Sequence, residues 1–350
     1  MRSPDALGGD PSGRMVWVDG YRGLAVVVMV WVHVANTLLT AEEQMTEWYG
    51  RLTFFHGLVA PAFFWIGGFV RGVRVPQPGG KRPGFGAVKR LLGVMVLGYL
   101  MHFPWRVFIH FEWDATSGKE MMTVDVLQTL AFTGLVMVGV ERFVITRRMQ
   151  QWVMGVLAVV FVVLERWAGD WVTSWPFVNA WLSRQTGSVF CLFPWVGFGL
   201  AGWLCGSWVV AGRGKAVWIY ACIGAMLAWG VPQLEWLGRG EAFFLQRLGW
   251  VILVALVVAG VFRMPQGRAG MVSSALLIAG RESLVIYVAH LTIIHAIPSP
   301  FGTLEQCLGR RQSLVQVVGW FVFIAAISWG AAWWNERRKE RMKGLEVLGG

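Results

Sequence analysis

Arg22 and His33 stand eleven positions apart on the first long apolar stretch of the chain, Asp19-Gly-Tyr-Arg-Gly-Leu-Ala-Val-Val-Val-Met-Val-Trp-Val-His33. On a helix that step is three turns plus about 20°, so both side chains leave nearly the same face, roughly 16 Å apart. Asp19 and Asn36 fall within the same arc of about 60°, and Asp19 is one turn from Arg22, close enough to pair with it. Ionisable groups are costly at membrane depth and usually face a bundle interior or a wet cavity. Arg22 by itself reads equally well as an interfacial anchor. A deep His sharing a stripe with an Arg and an Asn points to a polar site instead of packing alone.

A second group is basic. Arg71 and Arg74 close the second apolar stretch, Lys89 and Arg90 open the third, and Lys81, Arg82, Pro76, Pro78 and Pro83 lie between them. Topogenic charge explains most of this set. The sharper reading is a mobile basic lip that gathers a phosphate-bearing ligand.

The elements that must position these groups are membrane helices. Of 350 residues, 56% are hydrophobic and 15% charged, and the mean hydropathy is +0.54, well beyond what a soluble domain of this size needs. The apolar runs are continuous, which excludes an alternating β-barrel pattern and gives an all-α integral membrane protein. Ten transmembrane spans are expected, roughly 17–40, 53–73, 88–110, 123–143, 151–168, 190–211, 216–236, 243–262, 271–297 and 312–334. Lys and Arg then alternate sharply between the two sides, 20 against nine, with Arg22 and Arg281 inside spans. The positive-inside rule makes both termini cytoplasmic. It also attributes the net charge of +11 to membrane orientation, not to nucleic acid. The expected division is a cytoplasmic segment 1–16, a polytopic domain 17–334 and a basic cytoplasmic tail 335–350. No small-residue cleavage site follows a short apolar core, so the first stretch reads as a retained span.

This orientation sorts the polar residues by depth. His33, His56, His102 and His290 come from four different spans and share the outer half, while His110 and His295 lie nearer the outer interface. Asp125 and Gln128 sit one turn apart near the outer end of the fourth span. His102 reads as a hydrogen-bonded packing residue. Arg281-Glu282 interrupts the ninth apolar stretch after Gly280, as a hydrogen-bonded break in a helix would. Metal binding is not expected: His290 and His295 fall on different helix faces and no HExxH motif exists.

Other features carry bland readings. Cys191, Cys205, Cys222 and Cys307 form no CxxC pair and read as small packing residues. Gly68-x3-Gly72 and Gly202-x3-Gly206 read as close helix contacts. Gly197, Gly199 and Gly202 match GxGxxG on paper, but no strand precedes them, so a dinucleotide site is rejected. Most of the 22 tryptophans are expected in interfacial belts, with Trp171, Trp175 and Trp181 the set that would suit a sugar platform.

The motifs resemble the transmembrane acyltransferase superfamily, including its acyltransferase-3 and heparan-alpha-glucosaminide N-acetyltransferase-like groups. Val18-Asp19-Gly20-Tyr21-Arg22-Gly23-Leu24-Ala25 with His33 is similar to their opening Arg-x10-His element. Ala60-Pro61-Ala62-Phe63-Phe64-Trp65-Ile66-Gly67-Gly68-Phe69 is similar to the Pro-aromatic-Gly pattern of their second span. Val124-Asp125-Val126-Leu127-Gln128 resembles the Val-Leu-Gln element of the glucosaminide branch, and Phe193-Pro194-Trp195-Val196-Gly197-Phe198 the Pro-Trp start of a later span. Ala279-Gly280-Arg281-Glu282-Ser283-Leu284-Val285-Ile286-Tyr287-Val288-Ala289-His290 resembles their closing Gly-Arg-x-Ser…Tyr-x-x-His element.

The resemblance implies acyl transfer, of acetyl or another short group, from cytoplasmic acyl-CoA to a sugar or glycan hydroxyl or amine on the outer side. It implies His33 as general base or transient acyl carrier, and Arg22, Arg71, Arg74, Lys89 and Arg90 as ligands of the CoA phosphates. Asn36, His56, Asp125, Gln128 and His290 would bind the acceptor or orient His33. The implied partners are membrane lipids, acyl-CoA and a carbohydrate acceptor, with no nucleic acid and oligomers allowed. The implied location is a bacterial inner membrane. Two other classes stay open: a transporter of a small anionic or sugar-like solute, which would show paired broken helices, and a scaffold subunit with a hydrogen-bonded core.

Overall fold

The protein is described by a computed structural model. It covers residues 15–74, 82–103, 115–168, 171–211, 215–234, 236–262, 270–296 and 303–348. Arg2, Arg14, Lys81, Pro76, Pro78, Arg106, His110, Arg213, Arg263 and Arg268 lie outside them. The described elements are helices: α1 (Val16–Leu38), α2 (Glu47–His56), α3 (Val59–Val73), α4 (Phe85–Met101), α5 (Val126–Phe143), α6 (Arg147–Val163), α7 (Leu192–Ala211), α8 (Lys215–Ala225), α9 (Arg239–Val261), α10 (Gly270–Arg281), α11 (Ser283–Leu291) and α12 (Leu314–Leu348), joined by shorter helical turns.

Among the described residues, seven helical stretches are long and apolar enough to cross a membrane, and eight when the bent pair α10–α11 is counted as one span. The protein is therefore an integral membrane protein, and helices satisfy the backbone polar groups that lipid leaves without partners. The described parts of the other two expected spans are shorter helices. Within 88–110, α4 ends at Met101 after 17 residues, about 25 Å, and residues 104–110 lie outside the described ones. The segment 216–236 begins as α8 and continues as a π turn and a 3-10 turn.

The chain forms two compact units, one of Met1–Val59 with Ala255–Gly350, the other Ala60–Val254. In the first, α1 packs closely on α10. A methyl group on Gly23 would run into the Leu276 carbonyl, and one on Gly280 into the carbonyl of Asp19. Small residues let two membrane helices approach to backbone contact, where packing substitutes for the missing hydrophobic drive. Helix α1 also meets α12, where Trp31 and Phe321 pack edge to face at 5.6 Å. The Trp329 indole donates to the Ala275 carbonyl and ties α12 to α10.

In the second unit the two expected glycine pairs meet each other. Added methyl groups on Gly68 and Gly72 of α3 would strike the Gly199 and Trp203 carbonyls of α7. Methyl groups on Gly202 and Gly206 would strike the Trp65 and Phe69 carbonyls in return. Behind that seam lies a core of Met137, Met154, Phe193, Val196, Leu200 and Trp203. Of the four cysteines, Cys191 and Cys205 pack inside as expected, whereas Cys222 and Cys307 are exposed.

Candidate active site

Helix α1 places Arg22 and His33 on one face, and the first unit surrounds that face with the broken helix α10–α11. Arg22 sits 3.8 Å from the Asp19 carboxylate and 3.5 Å from the Gly280 carbonyl oxygen. Three turns along, the half-buried His33 places Nδ1 2.8 Å from Nε2 of the fully buried His290. The two rings lie nearly parallel, inclined at 21° with centroids 5.0 Å apart. Each end of the α1 stripe thus rests on a different arm of the break. Arg22 contacts α10 and His33 contacts α11.

The hydrogen-bond network assigns the tautomers. His290 Nδ1 lies 2.6 Å from the Ile286 carbonyl oxygen. A carbonyl only accepts, so that nitrogen carries the proton. In the neutral ring His290 Nε2 is then the acceptor, and His33 Nδ1 the donor. The basic lone pair of neutral His33 is left on Nε2, the arrangement a general base needs.

The break itself is built from its two central residues. Glu282 leaves the helical region (φ −107°, ψ 27°), and the arms diverge by 81°. The expected break after Gly280 is therefore present. Its hydrogen-bonding partners come from α12: Arg281 Nε donates to Glu336 at 2.6 Å, and the Glu282 carboxylate accepts from Asn335 Nδ2 at 2.7 Å and Lys339 Nζ at 2.7 and 2.8 Å. Among the described residues this is the one helix pair bent in this way.

At the far end of α1 the exposed Asn36 accepts a 2.6 Å bond from the Tyr49 hydroxyl. Tyr49 is buried and packs edge to face on the His56 ring at 5.6 Å. His56 Nε2 is buried with no hydrogen-bond partner among the described residues. Asn36 and His56 are thus joined through a tyrosine that sequence reasoning passed over. Its signal was slight: one of five tyrosines, at the polar start of the second span.

The remaining candidates belong to the second unit. A cleft of about 440 Å³ lies among α3, α4 and α5, lined by Phe64, Gly67, Arg71, Arg74, Leu91 and Thr133 with neighbouring residues. Arg71 is held by a two-pronged pair to Glu141, with Nε to Oε1 at 2.9 Å and Nη2 to Oε2 at 2.6 Å. Glu141 is buried and also accepts from the Trp203 indole at 2.8 Å. Arg71 charge is thereby largely neutralised, and Arg74 is exposed at the same wall. Lys89 and Arg90 are exposed on α4 but are not lining residues of the cleft. Asp125 caps α5 in a reciprocal box with Gln128, which is fully buried. Asp125 Oδ2 also lies 3.1 Å from His102 Nε2.

Residues 14–245 match the family model for the catalytic domain of heparan-alpha-glucosaminide N-acetyltransferase. The chain belongs to this family. That makes it a membrane acetyltransferase of the wider transmembrane acyltransferase superfamily. No curated protein matches the chain by sequence. The family match covers Arg22, His33, Asn36, His56 and the whole cleft. It ends before α10 and α11, so Gly280 and His290 join the family's portion of the chain only through the fold.

Proposed function

We propose that the protein transfers an acetyl group from cytoplasmic acetyl-CoA to an amine or hydroxyl of a sugar or glycan on the outer side of the membrane, with His33 as the base. The observation that carries this reading is the Ile286–His290–His33 chain. It directs the proton of His33 toward His290 and the lone pair of Nε2 outward from that bond. His33 Nε2 takes the proton of the acceptor as the acceptor attacks the thioester carbon, and the proton then passes to the departing thiolate. Acetylation of Nε2 itself, followed by transfer, uses the same lone pair.

For the second unit taken by itself, we propose that its cleft binds the donor. Its apolar wall suits a pantetheine arm, and Arg74 suits phosphate at the mouth. Lys89 and Arg90 add charge that gathers the anion. Arg71 contributes less than its position in sequence suggests, since Glu141 already holds it. Arg22, steadied by Asp19 and Gly280, is the cationic end of the His33 stripe. Asn36, Tyr49 and His56 form the acceptor group, with the buried His56 Nε2 able to bond an acceptor hydroxyl. Asp125 and Gln128 act through the cap of α5.

Purified protein incubated with labelled acetyl-CoA and a panel of amino sugars, neutral sugars and glycans tests the reading. Label should appear in an acceptor and vanish in His33→Ala and Arg22→Ala. Undiminished transfer by His33→Ala, or the absence of CoA binding, overturns it.

A further inference from the structure

We propose that Glu282 is the positioning residue of the histidine pair, and that Asn335 and Lys339 on the last helix hold it in place. The inference rests on the proposed role of His33. Glu282 is buried, and a buried carboxylate without partners is strongly unfavourable. Asn335 and Lys339 supply those partners, and Glu336 holds the adjacent Arg281. Two consecutive residues at one helix break are therefore gripped by one turn and a half of α12.

The grip leads to His33 by a continuous set of bonds. The Glu282 backbone carbonyl accepts from the N–H groups of Val285 and Ile286 and so starts α11. The Ile286 carbonyl accepts from His290 Nδ1, and His290 Nε2 meets His33 Nδ1. Rotation of α11 about the break would carry His290 away from α1 while leaving α1 intact. The upstream arm cannot follow, because Gly280 is in backbone contact with Asp19 and Trp329 ties Ala275 to α12. The break is thus a joint with one arm fixed on α1. The clamp from α12 fixes the other arm. Asn335, Glu336 and Lys339, which fall in the expected basic tail 335–350, become a structural part of the site.

Charge reversal and exchange test the proposal. Glu282→Lys and Lys339→Glu, each alone, are expected to lower kcat about 10- to 100-fold while KM for either substrate stays within about twofold. The exchanged double variant is expected to return kcat to within about fivefold of the parent. A second readout needs no acetyl transfer: the rate at which diethyl pyrocarbonate modifies His33 in membranes, followed by mass spectrometry. Each single variant should show the His33 rate of His290→Ala, and the exchanged variant the parent rate. If the parent transfers no acetyl group to any acceptor, the functional reading fails while the modification rates still judge the clamp. If the reversals do not fold, Asn335→Ala with Lys339→Met removes both grips at more exposed positions. Parent-like kcat and parent-like His33 modification in folded clamp variants overturn the proposal, as does an exchange that folds and restores neither.

Discussion

His33 Nδ1 and His290 Nε2 lie 2.8 Å apart, although 257 positions separate them in the chain. The contact joins the first membrane helix to the second arm of a broken one. It turns a lone intramembrane histidine into one member of an ordered pair, with its tautomer set by a backbone carbonyl.

His290→Ala is expected to lower kcat about 10- to 100-fold, less than His33→Ala, which should cost about 100-fold or more. His290→Gln should fall between His290→Ala and the parent, because its amide oxygen can accept from His33 Nδ1. Steady-state kinetics on the three variants check the order. Equal activity of His290→Ala and the parent would remove His290 from the site.

Tyr49→Phe deletes the hydroxyl that bonds Asn36 and leaves the ring on His56. KM for the acceptor should rise about three- to tenfold, consistent with loss of about one hydrogen bond, while KM for acetyl-CoA is unchanged. An unchanged acceptor KM would restrict Tyr49 to packing.

Gly67 and Gly72 stand on the same helix but predict opposite outcomes. A side chain on Gly67 meets nothing within 4 Å and points into the cleft region, so Gly67→Leu should fold and raise KM for acetyl-CoA. A side chain on Gly72 meets the backbone of α7, so Gly72→Leu should destabilise the second unit by about 1–3 kcal/mol or more. Thermal unfolding in detergent and donor kinetics separate the two effects.

Arg74→Ala should raise KM for acetyl-CoA and leave transfer from acetyl-pantetheine, which lacks the phosphates, unaffected. Glu141→Ala should act on stability instead. It strands the half-buried Arg71 and the Trp203 indole, at a cost of about 3–5 kcal/mol for a buried pair broken on one side. Donor kinetics with the two thioesters and an unfolding curve check both statements.

The orientation has its own test. The orientation expected from the charge alternation, with both termini cytoplasmic, predicts that the exposed Cys307 reacts with a membrane-impermeant maleimide added outside. A cysteine at Arg341, exposed near the end of α12, should react only after permeabilisation. The opposite pattern would reverse the assigned orientation.

The sequence by itself determined the class of the protein and the face of α1. Helical periodicity is local, so Arg22, His33 and Asn36 had to share a stripe once the segment was helical. Continuous apolar runs require helices in lipid, and the two glycine spacings marked helix seams that the structure contains. The interruption after Gly280 was also legible, because Arg-Glu within an apolar run is unfavourable unless hydrogen bonds satisfy it. What α10 and α11 do was not legible. Only the tertiary structure decided that His290, and not His56 or His102, meets His33. The same holds for Arg71, which reads as a free cation in sequence and is held by Glu141 in space. Residues 335–339 read as tail charge, and their contacts with Glu282 appear only when α12 folds against the break. In each case the partner lies far along the chain, and side-chain distance depends on how helices pack, which local pattern does not encode.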